Sequence, residues 1–242
     1  MKSVFMTLKK LCIIHGLTIL LTHPIQSQNL ELSLPREASM GGSLLLVSGA
    51  TLYMAKHYPS NPNGMGNTWK APWIDDWNNP NLNTQQARIS DLTFLGTAAA
   101  TAAVSLALPK NQRFEYGVIT AQNVWITGNL VQLTKILAQR NRPYIQGTGP
   151  IAGEGKDNYY SFFSGHAALS STLATSAILA TCKNAHGEIA WGKATAITGG
   201  ALAVTTGILR ITAGKHYPSD VLTGMLVGTS IAIINTLIHE NK

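Results

Sequence analysis

The chain has 242 residues, 45% of them hydrophobic and only 12% charged, with a formal net charge of +7. Its charge content is about half that of an ordinary soluble domain, and its length fits one domain behind a leader. A nucleic-acid-binding role is excluded, because several of the cations fall in the motifs described below and no basic and aromatic array accompanies them.

In chain order, the first element is an export signal. Lys2, Lys9 and Lys10 form a positive n-region, Leu11 to Leu21 an apolar run too short to span a bilayer, and Pro24-Ile25-Gln26-Ser27 a cleavage zone. Residues 1–27 are therefore expected to be a signal peptide or N-terminal anchor, and 28–242 the helical domain. Cys12 lies in the leader, which leaves Cys182 alone in the domain and no intramolecular disulfide.

Stretches free of Asp, Glu, Lys and Arg follow at 38–55, 92–109, 116–134, 158–182, 194–209 and 221–239. Each approaches the roughly 20 residues needed to cross a bilayer, which predicts an all-α, six-helix transmembrane bundle. Gly128, Gly199, Gly200, Gly224 and Gly228 suit close helix packing in lipid. The soluble alternative rests on the weakly hydrophobic Ala/Thr run 94–107 and on Gln122, Asn123, Asn129 and Gln132, which are costly in lipid unless they face a bundle interior. Between the first two stretches, residues 57–90 are polar and rich in Pro, Asn and Gly, with Trp69, Trp73 and Trp77 at four-residue intervals. The segment reads either as an interfacial strip at headgroup level or as a packed surface loop. Asp75-Asp76 is an isolated acidic pair and the remaining His residues are scattered, so no metal or other cofactor is expected.

Three segments in the second half carry chemistry. Lys135 and Arg142 are seven residues apart, which on a helix places both on one face, and Pro143 is expected to end that helix at Arg142. Ser164-Gly165-His166 reads as a helix N-cap, where free N–H groups and the helix dipole favour an anion and His166 would face it. Arg210, His216 and Asp220 form the third segment, with Pro218 placed to start a helix. A carboxylate four residues from His216 can accept a hydrogen bond from one ring nitrogen and leave the other free as a nucleophile. Alone, each segment has a structural reading: two solvated cations, a cap with a bystander His, a His–Asp pair at a helix end. An internal control separates them. Lys-His-Tyr-Pro-Ser occurs at 56–60 and again at 215–219, but around His57 the places of Arg210 and Asp220 hold Thr51 and Asn61. His57 is thus read as an echo at a helix end or in a loop.

In this order and at these spacings the segments resemble the signature of the type 2 phosphatidic acid phosphatase superfamily, whose fold is shared with bacterial acid phosphatases and vanadium-dependent haloperoxidases. The resemblance covers roughly residues 90–240. Phe163 stands where the family usually has Pro, and Leu209 where it usually has Ser. The resemblance implies a phosphohydrolase that uses no metal: His216 attacks phosphorus, Asp220 orients it, and His166 protonates the leaving oxygen and then activates water. Lys135, Arg142, Arg210 and the backbone of Ser164-Gly165 hold the phosphate oxygens. The implied substrate is a phospholipid, an isoprenoid diphosphate or a lipid A-type phosphate. A soluble exported acid phosphatase and a vanadate-dependent haloperoxidase are the alternatives. The implied location is a bacterial inner membrane with the site facing the periplasm. Three spans before the first motif and a cleaved leader would instead turn the site to the cytoplasm. An outward site needs an uncleaved leader with one fewer span, or a first stretch that does not cross.

Overall fold

The computed structural model describes residues 30–58, 72–152, 154–183 and 190–240. The expected leader, Trp69 and the end of the first Lys-His-Tyr-Pro-Ser copy lie outside these residues. The described chain is all-α: α1 Leu34–His57, α2 Thr84–Ala107, α3 Arg113–Ala138, α4 Tyr144–Gly147, α5 Gly165–Lys183, α6 Ala190–Thr212 and α7 Pro218–Ile238. Short 3-10 turns at Trp73–Trp77, Lys110–Gln112 and Gly155–Tyr159 punctuate the connections. The expected count of six is corrected to seven helices among the described residues, because Pro143 opens the single-turn α4.

Four of these helices, not six, are long and apolar enough to cross a membrane: α1, α2, α6 from Trp191, and α7. The charge-free stretches at 116–134 and 158–182 fall short for a physical reason. Freedom from charge is not apolarity, and these stretches carry Gln122, Asn123 and Asn129, or Ser170, Ser171, Thr172 and Ser176. The second of them is also helical only from Gly165 onward. Conversely, α2 begins at Thr84, capped by Asn83 Oδ1 on the Gln86 N–H at 3.0 Å, so Arg88 belongs to a helix rather than to the expected loop, and Asp91 follows in the same helix.

The bundle is polar and small inside, apolar outside. Ser90, Thr97, Thr127, Thr172 and Thr206 are fully buried, whereas Leu46, Leu52, Leu95, Ile197 and Leu226 are well exposed. Thr172 returns its hydroxyl to the Ala168 carbonyl and also meets the Thr127 hydroxyl at 2.9 Å, and Ser90, Thr97 and Thr206 bond helix carbonyls in the same way. Such an arrangement suits a lipid surround, where packing and polar contacts replace the hydrophobic effect. The interface of α5 with α7 depends on glycine. A Cβ at Gly224 would lie 2.7 Å from the Ser164 carbonyl oxygen, and one at Gly228 would collide with the Ala168 carbonyl. That close approach brings the N-terminus of α5 against the N-terminal turns of α7, where the Ser164 N–H donates to the Asp220 carbonyl at 3.1 Å.

Candidate active site

The C-terminal ends of α3 and α6, the N-terminal ends of α5 and α7 and the loops that adjoin them meet at one end of the bundle and carry the eight predicted residues. α3 stops earlier than expected. Gln139 adopts a left-handed conformation (φ 42°) and its N–H returns to the Lys135 carbonyl, so Lys135 is in the last turn and Arg142 in the loop beyond. The expectation that one helical face presents both is therefore corrected. Arg142 is placed by tertiary contacts instead: its N–H donates to the Asn158 carbonyl at 3.0 Å.

Arg142 is buried and its guanidinium is nearly consumed by protein acceptors. Nε and Nη2 donate to the Asp157 carbonyl and carboxylate at 2.7 Å each, and Nη1 donates to the Lys215 carbonyl at 2.9 Å. The same Nη1 lies 3.3 Å from His216 Nε2. Burial raises the Asp157 pKa, but the charge and hydrogen bonds of Arg142 outweigh it and hold the carboxyl below its usual range.

Gly214 has φ of 72° and ends the α6 connection, letting the chain turn so that the N–H groups of Lys215 and His216 both return to the Arg210 carbonyl at 3.2 Å. His216 is 1% exposed. Its Nδ1 is 2.8 Å from the Ser161 carbonyl, whereas Asp220 Oδ2 is 3.6 Å away. The expected hydrogen bond from His216 to Asp220 is thus replaced by one to a backbone oxygen. A carbonyl can only accept, so Nδ1 carries the proton and Nε2 presents its lone pair toward Arg142. Burial, and after it the charges of Arg142, Arg210 and Lys135, pushes the imidazole well below its ordinary value. Asp220 remains part of the assembly through other partners. It accepts from Arg140 Nη1 at 2.5 Å, from Ser161 Oγ at 2.5 Å and from the Tyr217 N–H at 3.0 Å.

Ser164 caps α5, its Oγ accepting from the Ala167 N–H at 3.4 Å, and Gly165 packs closely under Val131. His166 lies in the first turn, its Nε2 3.0 Å from Asp91 Oδ1 and its ring edge-on to Phe94. Arg210 Nη1 shares that carboxylate at 3.2 Å and also reaches Ser90 Oγ at 3.2 Å. The buried Nε of Arg210 has no hydrogen-bond partner among the described residues. His57 stands apart: it closes α1, exposed, with Nδ1 on the Tyr53 carbonyl at 2.9 Å.

Lys135, Gly165 and His166 also line a cavity of about 520 Å³ that extends between α1, α3 and α5. Beyond them its walls carry Leu52, Phe94, Val124, Trp125, Val131 and Leu169, interrupted by the polar Ser48, Thr51, Asn129 and Gln132. Trp125 Nε1 donates to Ser48 Oγ at 2.9 Å, and Ser48 Oγ donates to Asn129 Oδ1 at 3.0 Å.

Three residues around this cluster were not singled out from the sequence: Asp91, Arg140 and Asp157. A fourth, Asp75, was read as half of an isolated acidic pair, a reading corrected by its ion pair with Arg140. Arg140 is 3% exposed and bridges Asp75 and Asp220. One signal was available. With only 11 acidic residues in the chain, buried cations must find their carboxylates among few candidates.

Guanidinium groups and an ammonium gathered about two imidazoles and a helix N-terminus make an oxyanion site. The PAP2 superfamily profile matches residues 112–242, more than half of the chain and every residue from Lys135 to Asp220 discussed above, and the chain belongs to the PAP2 superfamily. That membership carries a phosphatase-type activity on phosphorylated substrates. No curated protein and no solved structure matches the chain.

Proposed function

We propose that this protein is a membrane phosphohydrolase that removes phosphate from a lipid phosphate or diphosphate through a phosphohistidine intermediate, without a metal. The observation that carries the reading is one cavity with Lys135 and His166 at its polar end and an apolar channel between α1 and α3 beyond them. A phosphate would sit at the polar end, with the attached chain along the apolar walls. The orphan Nε of Arg210 supplies a donor that a phosphate oxygen would satisfy.

In the first step His216 Nε2 attacks phosphorus as the ester P–O bond breaks, and His166 gives its proton to the departing oxygen. Asp220 offsets the positive charge that develops on the ring. In the second step His166 takes a proton from water, whose oxygen displaces His216 and releases inorganic phosphate. Lys135, Arg142, Arg210 and the N–H groups at Ser164-Gly165 stabilise the equatorial oxygens, which is where such transition states need help. With α1, α2, α6 and α7 embedded and the leader uncleaved, we place the protein in a bacterial inner membrane with this end of the bundle facing the periplasm. The test is phosphate release by the purified full chain from a panel of lipid phosphates and diphosphates, beside His216→Ala and His57→Ala. Activity lost in the first variant and kept in the second is expected. Release from no member of the panel, or equal losses in both variants, overturns the reading.

A further inference from the structure

The acidic residue at position 75 belongs to no helix of the bundle, yet it is 1% exposed. It sits in the Trp73–Trp77 turn, whose two indoles are exposed and meet edge-on at 6.0 Å. The carboxylate is saturated with donors that lead to the nucleophile. Oδ1 accepts from the Ser219 N–H at 2.8 Å, capping a free N–H in the first turn of α7. Oδ2 accepts from Ser219 Oγ at 2.7 Å and from Arg140 Nη2 at 2.6 Å. The other arm of Arg140 holds Asp220 at 2.5 Å and Ser219 Oγ at 2.9 Å, with the Tyr217 ring 4.0 Å from its guanidinium carbon. Asp220 in turn holds Ser161, whose carbonyl accepts from His216 Nδ1.

We infer that Asp75 is a positioning residue for the nucleophile: acting through Arg140 and Ser219, it fixes the first turn of α7 and the charge balance around Asp220 that His216 experiences. Two carboxylates share one guanidinium, so Arg140 is pulled from both sides and Asp220 keeps part of its negative charge for the imidazole. Without Asp75, Arg140 would neutralise Asp220 alone. The inference rests on the reading of His216 as the nucleophile, and its test separates the two.

Asp75→Asn preserves size and one acceptor for Ser219 but removes the charge. In the full chain in detergent it should lower kcat about tenfold while KM stays within about twofold, a size usual for members of one ion-pair network. A kcat within twofold of the unmodified chain overturns the inference. A second arm needs no substrate. With 15N-labelled histidine and His216→Ala for assignment, Asp75→Asn should move the ring nitrogen resonances of His216 more than those of His57 and His239. Unmoved His216 resonances overturn the inference whether or not any lipid phosphate is turned over, whereas an inactive unmodified chain counts against the phosphatase reading alone. If Asp75→Asn does not fold, Ser219→Ala removes only the hydroxyl link. It should lower kcat about threefold and shift the same resonances, and the absence of both effects overturns the inference.

Discussion

Asp220→Asn is the substitution whose cost the geometry fixes most closely. In a catalytic triad where the carboxylate sets the tautomer of the histidine, the same change costs about 10⁴ in kcat, because the amide stabilises the wrong tautomer. Here the Ser161 carbonyl holds the proton on His216 Nδ1 and no side-chain substitution can remove it. What Asp220 contributes is charge, from 3.6 Å. At an effective dielectric near 20, a full pair of charges at that separation interacts by about 5 kcal/mol. With about half of the ring charge developed at the transition state, the loss is about 2 kcal/mol, or about 30-fold. Arg140 keeps Asp75 as a partner, so no buried guanidinium is stranded and the variant should fold. Single-turnover kinetics at saturating substrate, with phosphoenzyme trapped by alkaline quench and folding checked by circular dichroism, gives the number. A loss of 10³ or more in folded protein would refute the reasoning and return the tautomer to Asp220. A loss below threefold would remove Asp220 from the chemistry.

His166→Ala should impair alkyl phosphate substrates far more than p-nitrophenyl phosphate, whose phenolate leaves without a proton, and equal losses on the two would make His166 a phosphate ligand instead. Activity should survive excess chelator and be inhibited by vanadate; activity lost to chelator and restored by a divalent ion would contradict the proposed mechanism. The third expectation concerns pH. Because His216 is depressed below the ordinary imidazole value of about 6.5, its lone pair stays available as pH falls through that range, and kcat/KM should drop only at lower pH. Arg142→Gln removes a charge that depresses it and should move this acid limb upward, while a limb at or above about pH 6.5 in the unmodified chain would contradict the assignment. The same depression makes the contribution of His216 to stability complete above the unfolded value, and that contribution is lost as pH falls toward the folded one. Thermal unfolding followed between pH 7 and pH 4 reads this directly.

Periodicity and residue type carry far along the chain, and stop where side chains from distant segments meet. The all-α class, the cap at Ser164, the helix start at Pro218 and the separation of His216 from its echo at His57 follow from local rules, since caps, prolines and i,i+4 neighbours act within one or two turns. The length of α3 does not, because a non-glycine residue, Gln139, takes the left-handed conformation that ends it, with its N–H on the Lys135 carbonyl and its side-chain amide on the Ile136 carbonyl. Counting charge-free stretches overestimated the candidate spans, since uncharged Ser, Thr, Asn and Gln are polar nonetheless and are accommodated by facing inward. The partner of His216 was local by spacing and non-local in fact. Asp220 is four residues away, yet Ser161, 55 residues earlier in the chain, provides the acceptor because Gly224 and Gly228 let α7 close onto α5. Asp75 and Arg140 were least visible of all. Their meaning lies in a buried ion-pair chain running from a loop between α1 and α2, through the end of α3, to the first turn of α7. Such charges stay ionised only when paired, and which charges can pair is decided by the packing of the bundle rather than by the order of residues along it.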